Sequence, residues 1–199
     1  MKNYIFIFSH QDDEFGVFEL ISRAIQNNQN VIIYYMTNGM IGKSIPKLRM
    51  FHRDIESLKV LKKLGVKKKN IIFFGRLNNV ETCYLHKKLN YAYKKLFKSI
   101  KKLTGDIIIY THALEGGNED HDACYVIVKK LMNNLKKIHS AFQFPMYNSN
   151  TSLFYYQVQK ILTSNGKLIK VKAKFFNRIK YIRYLFYYKS QLRVWIGLY

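Results

Sequence analysis

The stretch Tyr4-Ile-Phe-Ile-Phe-Ser-His-Gln-Asp-Asp-Glu14 decides the fold. Its first five residues are apolar without alternation, which indicates a strand that is buried on both faces, as in a parallel sheet. Polar and acidic residues follow at once, at the carboxyl end of that strand. Ligands bind beyond this edge in open parallel α/β sheets. The stretch therefore predicts a central strand and the beginning of a site.

The alternation of strand and helix continues along the chain. Further apolar runs predict strands at Val31–Tyr35, Ile71–Phe74, Ile107–Tyr110 and Ala141–Phe144. Amphipathic helices, with apolar residues three and four positions apart, are predicted over 14–27, 49–64, 81–103 and 120–137. Repeated β-α units predict an α/β fold: a Rossmann-like, doubly wound, mostly parallel sheet with helices on both faces.

Length and composition favour one domain. The 199 residues are 48% hydrophobic, which suffices for one sizeable core, and with only two prolines and no Gly/Ser-rich stretch there is no sign of a linker. We therefore expect a single domain over residues 1–199. After Tyr147 the pattern weakens, and there we predict a short strand over 167–171 and a basic aromatic helix over about 174–193.

The predicted C-terminal helix has an apolar side made of Phe175, Ile179, Ile182 and Phe186. Two placements of this side are open. It can pack on the sheet while the Lys and Arg residues face water, which is the placement we expect. It can also lie on an anionic membrane surface.

The chain is strongly basic, with 34 Lys and Arg residues against 12 Asp and Glu residues and a formal net charge of +22. Such a charge suits nucleic acid, a phosphate-bearing substrate or an anionic membrane. Nine of the acidic residues nevertheless fall in three short windows, 12–14, 54–56 and 115–122. Sixteen tyrosines offer stacking surfaces for nucleic acid, but clustered carboxylates would repel its phosphates. We expect no nucleic-acid partner and keep a nucleic-acid-binding α/β protein as an alternative.

Cysteine usage points to a reducing compartment. Cys83 and Cys124 have neither the number nor the spacing of a disulfide framework or a Cys-based zinc site. The first apolar run meets Asp12 too soon for a signal peptide, and no run approaches the roughly 18 apolar residues of a membrane span. We expect a cytoplasmic protein, with peripheral contact to the inner membrane face as the alternative. The oligomeric state stays open.

Three residues on the predicted ligand-binding edge have the character of metal ligands. His10 and Asp13 are separated by two residues across a strand-to-helix turn, and His121 follows the fourth strand on the same edge. Two imidazoles and one carboxylate leave a coordination position open for water, which is typical of catalytic zinc. The same ligands also suit Fe²⁺.

Asp12 lies beside a predicted ligand and is placed to act as a general base on water that the metal activates. Glu14, in the first helical turn, would interact favourably with the helix dipole and bind backbone N–H groups. The simpler interpretation is that residues 12–14 only cap a helix. A second cluster, Asp120-His-Asp122, lies on the same edge and favours a metal site over a helix cap alone.

These residues carry a resemblance to a known family. His10-Gln-Asp-Asp-Glu14 resembles the H-P-D-D-E motif of the LmbE-like or PIG-L family of zinc de-N-acetylases, and Gly117-Asn-Glu-Asp-His121 is similar to that family's G-H-P-D-H motif. Three shorter segments resemble its T-x-G turn, its R-x-x-E helix and its late Y-x-S-Q motif: Thr37-Asn-Gly39, Arg53-Asp-Ile-Glu56 and Tyr188-Lys-Ser-Gln191. The match runs from about residue 3 to residue 191.

The resemblance implies zinc on the three predicted ligands, the base at Asp12 and a substrate contact at Arg53. It also implies that Asp120 orients a neighbouring side chain, here Asn118 or His121. Further residues on this edge are expected to border the substrate: Glu14, Asn38 and His112. The implied reaction removes the acetyl group from an N-acetylated sugar of the N-acetylglucosamine type, carried on a lipid or a nucleotide, and a phosphate-bearing substrate is one option.

The chain departs from the family motifs at two positions. Gln11 replaces a proline, which we expect only to loosen the turn. Asn118 replaces the first histidine of the second motif, and its amide can donate a hydrogen bond to a developing oxyanion but cannot deliver a proton. Proton transfer then falls to Asp12 alone, or His112 or Glu115 takes part. A member that binds metal or sugar without turnover is the alternative.

Overall fold

The computed structural model describes residues 1–40, 47–148, 157–158 and 167–192. The strands are β1 (Asn3–Phe8), β2 (Asn30–Tyr35), β3 (Ile71–Ile72), β4 (Ile107–His112), β5 (Ile138–Phe144), β6 (Tyr147–Asn148) and β7 (Gln157–Val158). The α-helices are α1 (Phe18–Gln26), α2 (Lys47–Leu64), α3 (Phe74–Leu77), α4 (Leu89–Lys101), α5 (Glu119–Asn134) and α6 (Phe175–Leu185). Short 3₁₀ helices span Asp13–Val17, Lys68–Asn70 and Leu85–Lys88.

The main sheet has five strands in the order β3-β2-β1-β4-β5, and every pair in it is parallel. The strand order therefore reverses between β1 and β4, which is the topological switch point where doubly wound folds bind ligands. The predicted α/β fold is confirmed. The switch point brings the segments that follow β1 and β4 to one edge.

Alternate residues of β1 face two different cores. Ile5 and Ile7 pack with α4 and α5 on one side of the sheet, whereas Phe6 and Phe8 pack with α1 and α2 on the other. A strand covered on both faces needs apolar side chains at every position. This explains why its sequence shows no alternation.

The predicted third strand is shorter than its apolar run, because Phe74 begins α3 and only Ile71 and Ile72 pair with β2. The close approach of α3 to the neighbouring chain, at Gly75, explains why the strand ends early. A Cβ atom there would lie 2.0 Å from the backbone carbon of Thr37, so only glycine allows α3 to approach the segment after β2. The strand predicted over 167–171 is not formed, since residues 167–174 have no regular secondary structure.

The C-terminal helix α6 ends at Leu185, earlier than the predicted residue 193, which lies outside the described residues. It packs on α1 through its tyrosines: the rings of Tyr181 and Tyr184 lie 5.5 and 6.0 Å from that of Phe18. The predicted apolar side, in contrast, is exposed. Our expectation that this side packs on the sheet was therefore wrong. No helix within the described ranges is long and apolar enough to cross a bilayer.

Candidate active site

The three predicted metal ligands come together at the switch point. His10 and Asp13 lie where β1 turns into a 3₁₀ helix, and His121 lies in the first turn of α5, which follows β4. One ligand atom from each residue lies within 4.8 Å of the others, and all three residues are buried. The Nε2 atom of His121 is 3.5 Å from Oδ1 of Asp13. This arrangement fits one divalent cation with an open coordination position.

The Asp13 carboxylate is held in its charged form. Its Oδ2 atom accepts hydrogen bonds from the backbone N–H of His10 at 2.7 Å and from the hydroxyl of Ser9 at 2.8 Å. Burial works to raise the pKa of Asp13, but the nearby rings of His112 and His121 outweigh it and hold the pKa well below its usual value. The Asp13 carboxylate is therefore ionised where it faces His112 and His121.

His10 lies between two carboxylates. Its Nε2 atom is 3.1 Å from Oδ2 of Asp120, and its Nδ1 atom is 3.8 Å from Oδ2 of Asp13. Burial works to lower the pKa of His10, but the hydrogen bonds to Asp120 and Asp13 outweigh it and raise the pKa to about 9. The pocket thus favours positive charge at this point, as a cation site must.

Asp120 orients His10, not Asn118 or His121 as we expected from the sequence. Besides His10, this fully buried carboxylate accepts the backbone N–H groups of Cys83 at 2.6 Å and Leu85 at 3.1 Å. A carboxylate behind a metal-binding imidazole fixes the ring's orientation and raises its basicity. Asp120 therefore joins the loop after α3 to the ligand set.

His112 is fully buried on β4 and does not reach a surface. Its ring stacks on that of His121 at a centroid distance of 3.9 Å and an angle of 6°, and its Nε2 atom is 3.0 Å from Oδ2 of Asp13. Burial lowers the pKa of His112 to about 4, so the ring is neutral. His112 supports Asp13 and His121, and the expected contact with substrate is corrected.

Asp12 lies beside Asp13 in the chain and forms an ion pair with α2. Its Oδ1 atom is 3.0 Å from Nη2 of Arg53. Its φ of 143° lies in a region that residues other than glycine rarely adopt. The backbone N–H of Asp12 donates to Oε2 of Glu14 at 3.0 Å, which helps to hold this conformation. Strained residues of this kind cluster at functional sites.

Arg53 reaches Asp12 from α2 and also donates to the carbonyl oxygens of Gly39 at 2.8 Å and Gln11 at 3.1 Å. The structure thus places this guanidinium at the predicted base. Gly39 has a φ of +73°, and a Cβ atom there would lie 2.4 Å from Oε1 of Gln11, which explains the glycine of the T-x-G turn. Asn38 of this turn is buried and accepts the backbone N–H of Met40 at 2.9 Å.

Glu14 is fully buried, and both its carboxylate oxygens are engaged. Oε2 accepts from Asp12, and Oε1 accepts the hydroxyl of Tyr188 at 2.5 Å. Burial raises the pKa of Glu14 to about 7. The expected contact with substrate is corrected here too. In the same late motif Ser190 donates its backbone N–H and its hydroxyl to Glu56 at 3.0 and 2.5 Å, so the Y-x-S-Q segment joins the C-terminal region to the 3₁₀ helix after β1 and to α2.

Asn118 begins α5. Its side-chain oxygen accepts the backbone N–H groups of Asp120 at 2.9 Å and His121 at 3.2 Å. These are N-cap hydrogen bonds, which satisfy donors that a helix start leaves unpaired. The side-chain oxygen therefore serves the helix cap, and the NH₂ group is the part of this side chain that donates hydrogen bonds. Glu115, the other residue considered for proton transfer, accepts the backbone N–H of Met146 at 2.8 Å.

A buried polar group behind the turn was not predicted. Gln11 donates to Oδ1 of Asp54 at 2.8 Å, and Oδ2 of Asp54 is 3.0 Å from Nη1 of Arg76. Burial raises the pKa of Asp54 to about 6, although Gln11, Arg76 and Arg53 act in the opposite direction. Gln11 therefore anchors the turn to α2, and our expectation that it only loosens the turn is corrected. The signal in the sequence was Asp54, one of the clustered acids.

Comparison with known proteins identifies the family. Residues 5–132 match the family model PIG-L, described as GlcNAc-PI de-N-acetylase. The chain belongs to the PIG-L family. The matched region contains every residue of the candidate ligand set, Asp12 and Arg53. No curated protein sequence matches the chain significantly.

Solved structures share the fold. The N,N'-diacetylchitobiose deacetylase from Pyrococcus horikoshii is 16% identical, with a TM-score of 0.67 over 96% of this chain and 70% of its own. The A40926 pseudoaglycone deacetylase Dbv21 is 15% identical, with a TM-score of 0.69 over 98% and 84%. The zinc inhibited form of a teicoplanin deacetylase is 14% identical, with a TM-score of 0.64 over 96% and 85%. At these identities the likeness concerns the fold.

Proposed function

We propose that this PIG-L family member is a metal-dependent hydrolase that removes the acetyl group from an N-acetylated sugar. One observation carries the proposal: His10, Asp13 and His121 converge within 4.8 Å at the switch point, and Asp12, adjacent to Asp13 in the chain, is ion-paired with Arg53. The family description supports the de-N-acetylase chemistry. The reaction adds water across the amide and yields acetate and an amino sugar.

His10, Asp13 and His121 would hold the metal. Zn²⁺ is the first candidate, since two imidazoles and one carboxylate are a common catalytic zinc set, and Fe²⁺ is the second. When bound, such a cation polarises the amide carbonyl and lowers the pKa of water. Asp120 and His112 would keep the ligands in place, because Asp120 contacts His10 and His112 contacts Asp13.

Asp12 acts as the general base and takes one proton from the attacking water. Its ion pair with Arg53, at 3.0 Å, fixes the direction of the carboxylate. The same carboxyl group then passes the proton to the leaving nitrogen. Neither alternative donor suits that task, because His112 is buried and neutral and Glu115 bonds the backbone of Met146.

Asn118 supplies the remaining contact. The NH₂ group of its side chain donates a hydrogen bond to the amide oxygen as negative charge develops there, a role worth about 3 kcal/mol for comparable donors. Asn118 stands where the family motif has a histidine, and this difference motivates the second candidate function: a protein of the family that binds metal or sugar without turnover. In that case Asp12 would hold ligand without accepting a proton.

The substrate that fits best is a glycoconjugate of the N-acetylglucosamine type with phosphate attached, either lipid-linked or nucleotide-linked. The charge of +22 suits phosphate groups. Cys83 and Cys124 are free thiols, which suits a reducing cytoplasm.

The test is acetate release. Purified protein, supplied with increasing amounts of Zn²⁺ or Fe²⁺, is incubated with a panel of free, nucleotide-linked and lipid-linked N-acetyl sugars. Turnover that requires metal and is lost in Asp12→Asn supports the proposal. Asp106→Asn, an exposed carboxylate at the opposite end of β4, is the matched control. Substrate binding without acetate release under every condition would favour the non-catalytic candidate.

A further inference from the structure

Among the residues that the structure describes, helix α6 contacts the domain through one side. Tyr181 and Asn177 both donate to Oε2 of Glu19 on α1, at 2.8 and 3.0 Å. The Tyr184 hydroxyl donates to the backbone oxygen of Lys63 on α2. These contacts fix which side of α6 faces outward.

The outward side is apolar. Phe175, Ile182 and Phe186 are 69%, 56% and 65% exposed, and Ile179 completes a line of residues three or four positions apart. The preceding segment adds the exposed side chains of Leu168, Ile169 and Val171. We call Phe175, Ile179, Ile182 and Phe186 the α6 stripe. Scattered apolar residues on a surface need no explanation, but a contiguous patch marks an interaction surface.

Every charged residue of the segment that carries the α6 stripe is basic. Residues 167–186 contain seven Lys or Arg residues and no Asp or Glu, and no acidic residue occurs from Ala123 to the end of the sequence. Helical geometry places Arg178 on one border of the stripe and Arg183 on the other. An apolar stripe with cationic borders is typical of helices that lie in the plane of an anionic membrane surface.

A groove beside the stripe has the same chemistry. It lies between α2 and α6, has a volume of about 500 Å³ and is lined by cationic and apolar side chains together, including Lys63, Lys180, Arg183, Phe176 and Ile179. Cationic and apolar side chains in one groove suit a lipid, whose headgroup phosphate would contact the cations and whose acyl chains would contact the apolar residues. A nucleic acid would use the cations but leave the α6 stripe in water.

We propose that α6 and residues 167–174 dock the protein on the surface of an anionic lipid bilayer. The α6 stripe enters the boundary between headgroups and acyl chains, and the bordering Lys and Arg residues contact the headgroups. This surface function goes beyond the proposed deacetylation and does not depend on it. It is tested by binding alone.

The primary experiment is co-sedimentation of the full chain with vesicles. The protein should bind vesicles of phosphatidylglycerol mixed with phosphatidylcholine, and binding should weaken as salt is added because the charges are exposed. It should bind vesicles of phosphatidylcholine alone far less. Equal binding to both compositions, or to neither, would overturn the proposal.

Two sets of variants separate the apolar and the electrostatic contributions. The triple variant Phe175→Ser, Ile182→Ser, Phe186→Ser should lower the partition coefficient on the order of a hundred-fold. The matched control Val126→Ser, Met132→Ser alters exposed apolar residues of α5, 45% and 43% exposed, and should bind normally. Lys174→Gln, Arg178→Gln, Arg183→Gln should lower binding about a hundred-fold, whereas Lys68→Gln, Lys94→Gln, Lys136→Gln should lower it much less.

Equal losses in the patch and control variants would contradict docking through α6. Sedimentation velocity of the same proteins tests a second copy of the chain as the occupant of the stripe. If the parent protein is a dimer, the serine variant is a monomer and neither binds anionic vesicles, the stripe is a homodimer interface and the proposal fails. Circular dichroism checks that each variant is folded.

Discussion

The edge of the sheet at β1 and β4 and the outer side of α6 are opposites in composition. The edge collects most of the chain's few carboxylates and partners them with histidine, arginine or backbone N–H groups, as for Asp13, Asp120 and Asp12. The outer side of α6 has no carboxylate and leaves large apolar side chains in water. The first region carries the proposed chemistry, and the second carries the proposed contact with a membrane surface.

The largest expected effect is a loss of deacetylation rate on substitution of Asp12, at the β1–β4 edge of the sheet. Asp12→Asn should lower the deacetylation rate by roughly a hundred- to ten-thousand-fold, because an amide keeps the shape of the side chain but accepts no proton. The variant should retain its metal, since Asp12 is outside the ligand set. Acetate release and elemental analysis measure the two properties separately. A rate within a few-fold of the parent would assign Asp12 a purely structural role.

We assign Asn118 two roles, an observed N-cap and a proposed hydrogen-bond donor to the substrate, which variants can separate. Asn118→Ala should slow the reaction about a hundred-fold through loss of the donor and destabilise the protein by about 1 kcal/mol through loss of the N-cap. Asn118→Asp keeps a capping oxygen but lacks the NH₂ group, so stability should be retained while the rate falls. Kinetics and thermal unfolding on both variants distinguish the roles. Normal turnover by both would place Asn118 outside the reaction.

Asn118→His tests the departure from the family motif. A histidine can donate a proton, so the rate near neutral pH should rise and activity should fall at alkaline pH as the ring loses its proton. The parent should lack that alkaline fall. A pH–rate profile of the two proteins provides the measurement, and identical profiles would contradict the assignment.

Asp54 makes stability depend on pH in the direction opposite to most carboxylates. Its pKa is raised from 3.8 to about 6 in the folded protein, so its contribution to stability is full below about pH 4 and is lost as the pH rises through about 6. Asp54→Asn should remove a slope on the order of 2–3 kcal/mol over this range. Urea unfolding at several pH values measures it. An unchanged slope would show that burial does not dominate at Asp54.

The smallest expected effect concerns α6. Phe175→Ser should change the free energy of unfolding by less than about 0.5 kcal/mol, because the ring contacts mainly water in the isolated protein. Tyr188→Phe, two residues beyond the stripe, should cost about 1–2 kcal/mol because it removes the donor to buried Glu14. Urea unfolding compares the two. A larger loss for Phe175→Ser would mean that the stripe packs inside the molecule.

The sheet and the ligand-set geometry were predictable because their signals are local. The apolar run before His10 identifies a central strand, and the residues after β1 and β4 necessarily meet at a switch point. The contacts of Arg53, Asp54 and Glu14 could not be predicted from the sequence. Each of them depends on how α2 or the C-terminal region packs against the turn after β1. The same holds for α6, whose tyrosines, and not its phenylalanines, make the contact with the domain.

The most direct test of the metal centre is the metal content of the protein and of two histidine variants. Protein purified without chelator should contain about one divalent ion per chain, with zinc the first candidate and iron the second. His121→Ala should lose the ion, whereas His139→Ala, on the exposed part of β5, should keep it. Full metal content in His121→Ala, or no metal uptake by the parent, would contradict the central claim that His10, Asp13 and His121 form a metal site.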